Sequence, residues 1–204
     1  MDLFATNDKL EDDFASLDIV GIDEVGYGCW AGPVYVCALR LDKCHKEIDC
    51  KLVDSKSISH KKRLELYDII KGVATWQIGI GLVGEINEFG LAYAYRKAIE
   101  RAIEPFLNCR LIIDGRKPKW LDQHGLNCMA VIKGDSKVPA ISAASIVAKI
   151  ERDALMEQLA KQHPEYLFQE NKGYGTSAHI LAIREHGFCT QHRTSYDLKK
   201  YAQK

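Results

Sequence analysis

The stretch LDIVGIDEVGYGCWAGPVYVCALRL, residues 17–41, decides the fold. Its first part, over 17–23, is an apolar, β-branched run that reads as a strand. Two adjacent carboxylates, Asp23 and Glu24, close that run directly before a glycine turn, and a second strand-like run follows over 33–41. Unpaired charge at the end of a buried strand is costly, so something must compensate it. The candidates are a cationic partner or a bound divalent metal. Successive strand side chains point to opposite faces, so Asp23 and Glu24 share a ligand only if the chain already turns at Glu24. Gly26 and Gly28 permit such a turn.

Working outward, further apolar runs predict strands near 74–83, 109–114 and 128–133. Helices are predicted over 59–71, within 83–109, over about 141–162 and over 176–186, the last stopped by Gly187. The 83–109 helix starts at Asn87, stops at Pro105 and carries an apolar stripe of Ala92, Tyr95, Ile99, Ala102 and Ile103. In the 141–162 helix, Val147, Ile150 and Ala154 are expected to face inward. The first three strands suit an antiparallel meander, and the later ones extend it in parallel through helical crossovers. The fold class is α/β, a mixed five-stranded sheet flanked by helices with a helical C-terminal portion. We expect one domain over 1–204, with residues 1–16 as an acidic extension.

With 47% hydrophobic and 27% charged residues and a formal net charge of zero, the composition is that of a soluble globular protein. Zero net charge argues against nucleic-acid binding by bulk charge alone, although the tail after residue 170 is locally basic. No apolar run reaches membrane-spanning length, and the acidic N-terminus lacks signal-peptide order, so a cytoplasmic location is expected. Seven cysteines without a CxxC pair suggest reduced thiols rather than disulfides or a zinc ribbon.

Two more acids sit at run ends. Asp114 closes CRLIID before Gly115, and Asp135 follows MAVIKG ahead of the 141–162 helix. Either one alone reads as a turn or cap residue. Together with Asp23 and Glu24 they form a set that strand ends on one sheet edge can bring together. Such a set stays ionised only with a counter-charge, and Mg²⁺ suits a few carboxylates plus substrate phosphate. Two metals roughly 3.5–4 Å apart serve phosphodiester cleavage by activating water and stabilising the leaving oxygen. The residues 26–31 also fit a GxGxxA dinucleotide fingerprint. That reading needs a helix next, and Gly32-Pro33 and a strand-like run follow instead.

GIDEVGYGCWAGPV resembles the first motif of the ribonuclease HII family, where a GIDEAGRGPLAGPV-like string is typical. The likeness continues through DSKSISHKKRLELYDII (54–70), LIIDG (111–115) and KGDSKVPAISAASIVAKIERDALM (133–156). It then runs through HPEYLFQENKGYGTSAHILAIREHG (163–187) and HRTSY (192–196), so that about 17–200 is covered in the family's order. The resemblance implies an RNase H-like fold and an Mg²⁺- or Mn²⁺-dependent endonuclease. It also implies the substrates: the RNA strand of RNA–DNA hybrids, and duplex DNA incised 5′ of an embedded ribonucleotide, giving 3′-hydroxyl and 5′-phosphate ends. The family's four catalytic and metal-binding carboxylates fall on Asp23, Glu24, Asp114 and Asp135, the set reached from the residues.

By the same resemblance, backbone groups of the Gly26-Tyr27-Gly28 turn and Tyr174 check the ribose 2′-hydroxyl, which separates RNA from DNA. Lys56, Lys172, His192, Arg193 and Ser195 match positions near the bound backbone, where contacts position a duplex without reading its sequence. Asp153 matches too, but Lys149 one helical turn earlier suggests a local ion pair. Four residues depart from the pattern. Tyr27 stands for Arg or Lys, Cys29 for proline, Asn171 for histidine and Val53 for asparagine. Tyr27 motivates a rival, a nuclease of this fold with altered ribonucleotide specificity; a hybrid-binding protein that does not cut is a second. We expect a monomer acting without a membrane.

Overall fold

The computed structural model describes residues 19–42, 58–123 and 125–198. The apolar runs form five strands: β1 Ile19–Val25, β2 Val34–Leu41, β3 Ala74–Gly81, β4 Arg110–Asp114 and β5 Cys128–Val131. Their order across the sheet is β3-β2-β1-β4-β5, and β1–β4 and β4–β5 pair in parallel. Seven α-helices occur among the described residues: α1 His60–Lys71, α2 Val83–Phe89, α3 Leu91–Ile103, α4 Lys119–Gln123, α5 Pro139–Gln162, α6 Phe168–Asn171 and α7 Ser177–His186. The result is the expected mixed sheet with flanking helices.

Local chemistry sets most boundaries. The Ser59 hydroxyl caps α1 by accepting from Lys62 N at 3.2 Å. Thr176 does the same for α7 on His179 N at 3.3 Å, and Gly187 ends that helix. The single helix expected within 83–109 is two. Gly90, at φ +86°, separates α2 from α3, and Glu85 closes the start of α2 by accepting from Leu82 N at 2.9 Å. Asn87 therefore lies inside α2 and caps nothing; its amide bridges to His192 O at 3.1 Å and accepts from Ser195 N at 3.3 Å.

The chain clusters into two compact units, Met1–Asp23 with Cys37–Gln77 and Ile103–Val147, and Glu24–Val36 with Ile78–Ala102 and Ala148–Lys204. In the first, Ile19, Ile112, Val138, Ala140 and Ile141 form a buried cluster. The start of α5 reaches β1 because Gly21 has no side chain: a Cβ there would stand 2.2 Å from the Ala140 carbonyl carbon. In the second unit, α3 lies equally close on β3. A Cβ at Gly79 would fall 1.8 Å from Ala98 O, and one at Gly81 2.4 Å from Ala94 O. Ala94 and Ala98 thus face the strand, whereas Ala92, expected on the apolar stripe, is exposed.

The α5 stripe differs from expectation in the same way. Val147 is buried, but Ile150 is only partly so and Ala154 is exposed. Between Lys149 and Glu157 the buried positions are Arg152, Asp153 and Met156. A sequence rule that turns charged residues outward misplaces the face, because Arg152 finds its partners inside the protein.

Candidate active site

β1 continues through Asp23 and Glu24 to Val25, so the turn begins at Gly26 rather than at Glu24. Strand alternation therefore gives the two acids opposite faces, contrary to the early turn that a shared ligand requires. In the first unit, Ile22 is level with Ile113 of β4. The next residue along each of these two strands is an acid, Asp23 on β1 and Asp114 on β4. Asp23 is buried, at 4% exposure.

After β5 the chain turns through Lys133, in the left-handed region at φ 56°, into a 3-10 turn over Gly134–Ser136. The Gly134 N–H donates to Asp114 Oδ1 at 2.6 Å, which pins Asp114 against the turn that carries Asp135. Asp135 is buried at 5% exposure. A Cβ at position 134 would stand 2.6 Å from Ile141 Cδ1, the end of a side chain that would have to move aside. The first unit thereby brings Asp23, Asp114 and Asp135 to the C-terminal side of two adjacent parallel strands. Among the described residues, no three His, Cys, Asp or Glu groups stand as a ready-made ligand shell.

The second unit carries Glu24 and the glycine turn. Glu24 Oε2 accepts from the Tyr95 hydroxyl at 3.1 Å, and the Tyr95 ring meets Tyr27 edge-on at 5.2 Å between centroids. The turn itself is built around two buried arginines. Arg193 Nη2 donates to Gly26 O at 2.6 Å, Nη1 to Tyr27 O at 2.8 Å and Nε to Gly32 O at 2.9 Å. Arg152 donates to Pro33 O at 3.0 Å, Lys172 O at 2.9 Å and Ala31 O at 3.2 Å. Both side chains are wholly buried. Burial, the leading cause, and the like charge of Arg152 lower the Arg193 pKa, while Tyr196 opposes the shift. Gly26, at φ +83°, has Arg152 Nε where a Cβ would be, 2.2 Å away, whereas a Cβ at Gly28 would meet nothing within 4 Å. The carbonyls of residues 26, 27, 31, 32 and 33 are thus drawn inward, and the open side of the turn lies at Gly28.

The Tyr174 turn docks on this framework. Trp30 N and Ala31 N both donate to Gly173 O, at 2.8 and 3.2 Å, and the Trp30 ring occupies the space that a Cβ of Gly175 would need. Asn171 holds the turn from within, accepting from Gly173 N at 2.8 Å and donating to Tyr166 O at 2.6 Å. Tyr174 remains 42% exposed. Burial, with the neighbouring Cys29, raises its phenol above the ordinary value, so it stays a hydroxyl donor.

The other expected contacts fall in several places. Lys56 and Val53 lie outside the described residues. Lys172 pairs with Glu157 at 2.8 Å, and Ser195 is exposed with its hydroxyl on Ile86 O at 3.1 Å. Arg193 and His192 are placed in the interior, not on a surface facing phosphate. His192 Nδ1 accepts from Cys189 N at 2.9 Å, so its proton sits on Nε2 and is donated to His179 Nε2 at 3.0 Å. His179 then donates from Nδ1 to Tyr174 O at 2.9 Å. Two neutral imidazoles therefore brace the Tyr174 turn, and burial lowers both pKa values, that of His192 to about 4. Asp153 pairs with Lys149 at 2.8 Å, as the spacing suggested. Arg152 and Tyr95 are the residues that sequence reasoning missed. Nothing in the sequence sets Arg152 apart from the charged residues around it, Lys149, Glu151 and Asp153.

A ribonuclease HII family model matches residues 20–199. The chain belongs to the ribonuclease HII family. A ribonuclease HII of Ehrlichia chaffeensis is 41% identical over 181 residues, covering 87% of this chain and 85% of that one. One from Staphylococcus aureus, strain Newman, is 43% identical over 182 residues, covering 88% and 69%. Among solved structures, the PCNA:RNase HII complex from Archaeoglobus fulgidus gives a TM-score of 0.74 at 24% identity, covering 88% of this chain and 95% of that one. Bst-RNase HIII in complex with Mn²⁺ gives 0.73 at 19% identity, covering 94% and 71%. These last two likenesses concern the fold. Family and fold together make the chain a nuclease of ribonuclease H type. No helix among the described residues is long and apolar enough to cross a membrane.

Proposed function

We propose that this protein is a monomeric, cytoplasmic endonuclease that cuts the RNA strand of RNA–DNA hybrids. It also incises duplex DNA 5′ of an embedded ribonucleotide, leaving 3′-hydroxyl and 5′-phosphate ends. The observation that carries the reading is the Gly134 N–H held on Asp114 Oδ1 at 2.6 Å, which sets the Asp135 turn beside the ends of β1 and β4. Asp23, Glu24, Asp114 and Asp135 are the residues that would hold Mg²⁺ or Mn²⁺, with Glu24, on the opposite face of β1, not serving the same ion as Asp23. An all-carboxylate donor set suits a hard cation, and Mg²⁺ keeps waters and substrate phosphate oxygens as ligands, so a closed protein shell is not required. When bound, such ions activate water and stabilise the leaving oxygen of a phosphodiester.

The chain's own groups do the rest. Gly134 fixes the orientation of Asp114 through one oxygen. The inward pull of Arg152 and Arg193 on the turn carbonyls leaves the open face at Gly28 to the nucleic-acid backbone. Tyr174, a neutral phenol braced by His179 and His192, offers its hydroxyl to the ribose 2′-hydroxyl. Lys172 can exchange Glu157 for a phosphate, a contact that positions without reading sequence.

The test is a product map on a duplex containing one ribonucleotide, with Mg²⁺ or Mn²⁺. Wild type should cut at a single 5′ position, and Asp23→Asn and Asp114→Asn should each lose more than about 100-fold, beyond the usual cost of outer contacts. Uncut duplex with wild type, or full cutting by Asp114→Asn, refutes the proposal. One observation favours a variant reading, altered specificity: Tyr27 packs on Tyr95 and supplies no cation. Tyr27→Arg should then raise the rate on the single-ribonucleotide duplex more than on a long hybrid. Equal rates for both proteins on both substrates would dispose of that variant.

A further inference from the structure

Tyr27 departs from its family's pattern, and its ring has a definite neighbour. It meets the Tyr95 ring edge-on, at 5.2 Å and 87°, and the Tyr95 hydroxyl donates to Glu24 Oε2 at 3.1 Å. An edge-to-face pair at this spacing is attractive beyond simple burial. A hydrogen-bond donor on a ligating carboxylate fixes which oxygen faces the metal and at what angle. We infer that Tyr95 is a positioning residue for Glu24, and that Tyr27 holds Tyr95 in place through the edge contact.

The inference rests on the reading of Glu24 as a metal ligand. Tyr95 extends from α3, whose close seat on β3 depends on the bare backbones of Gly79 and Gly81. The hydroxyl is therefore delivered from a rigid support rather than from a loop. Tyr27 is 43% exposed, so its ring belongs at once to the turn surface and to the Tyr95 contact. A cation at position 27 would reach for phosphate. The tyrosine gives up that contact and ties the glycine turn mechanically to the Glu24 carboxylate. This coupling acts on turnover and metal affinity, not on grip of the duplex.

The experiment measures Mn²⁺ binding by calorimetry in the absence of nucleic acid, alongside kcat and KM on a hybrid. Tyr95→Phe removes one hydroxyl and should weaken Mn²⁺ and lower kcat by about 10-fold or more, the usual scale for such outer contacts, with KM little changed. Tyr27→Leu should weaken Mn²⁺ by about 2- to 10-fold, the worth of an aromatic pair, whereas Tyr27→Phe keeps wild-type Mn²⁺ affinity. Tyr95→Met, which keeps bulk without the hydroxyl, should match Tyr95→Phe. Wild-type Mn²⁺ affinity and kcat in both Tyr95 variants, with Glu24→Gln inactive, overturn the inference and leave the nuclease reading intact. Full activity in Glu24→Gln instead removes Glu24 from the metal site, and the inference with it.

Discussion

Replacing Arg193 by lysine keeps the formal charge and most of the length, and isolates the planar fork. The guanidinium is wholly buried and meets three backbone carbonyls, at 2.6, 2.8 and 2.9 Å, and the Tyr196 hydroxyl at 3.1 Å. An ammonium is a compact point charge that cannot span three carbonyls held by a rigid fork. With one carbonyl served and two left unmet, at about 1–3 kcal/mol each, the loss is about 2–6 kcal/mol. At about 2–4 °C per kcal/mol for a chain of this size, a central loss of about 4 kcal/mol lowers Tm by about 8–16 °C. Calorimetry checks the shift, and urea titration should move the midpoint without changing its slope. Hybrid cleavage should fall as the turn loosens. A Tm within about 2 °C of wild type would show that the carbonyls are satisfied without the fork, and the account of the turn would fail.

Gly21→Ala forces a Cβ to 2.2 Å from the Ala140 carbonyl carbon, so α5 must shift from β1; we expect destabilisation of more than about 3 kcal/mol, read by denaturant titration, and a wild-type midpoint would refute it. For His192, the unfolded chain takes up a proton near pH 6.5 while the folded chain waits until about pH 4, so the unfolded state binds more protons between those values. That stability is fully present above pH 6.5 and drains as pH falls toward 4, by up to about 3 kcal/mol; Tm followed from pH 7 to 4.5 should fall, less steeply in His192→Gln, and identical profiles would refute the assignment. Burial pushes the Cys128 thiol up to about 11, so at pH 8 it should alkylate far more slowly than an exposed cysteine, as mass spectrometry of iodoacetamide-treated protein would report.

Much of this was legible in the chain. The five strands follow from apolar β-branched runs, and the limits of α7 from Thr176 and Gly187, because those signals are local. The Lys149–Asp153 pair was legible for the same reason. What escaped depended on distant partners. An arginine that donates to carbonyls more than a hundred residues away looks, in sequence, like any surface cation, and so Arg152 was passed over and Arg193 was expected near the bound backbone. The helical pattern within 83–109 carries no mark of the break at Gly90, whose positive φ splits the helix. For the candidate site, the position of each acid at the end of an apolar run was plain, but the run of β1 through Glu24 was not, since a strand's last residue is fixed by its neighbours. Tyr95 was read as one more apolar stripe residue, because periodicity records a ring and says nothing of its hydroxyl.

The arginine clasp on the glycine turn also carries a statement about time. Arg193 is separated by 167 residues from Gly26 and by 161 from Gly32, the carbonyls it gathers. At about 5–20 residues per second, a ribosome needs roughly 10–30 s to go from one to the other. Throughout that interval the nascent chain already carries Asp23 and Glu24, and by its end Asp114 and Asp135 as well, while the turn between the strands has at most the Arg152 half of its clasp. The second half of the clasp is therefore set late, by a segment that contributes none of the four candidate acids. A chain broken off before Arg193 would carry all four candidate carboxylates and still leave the carbonyls of Gly26, Tyr27 and Gly32 without their guanidinium.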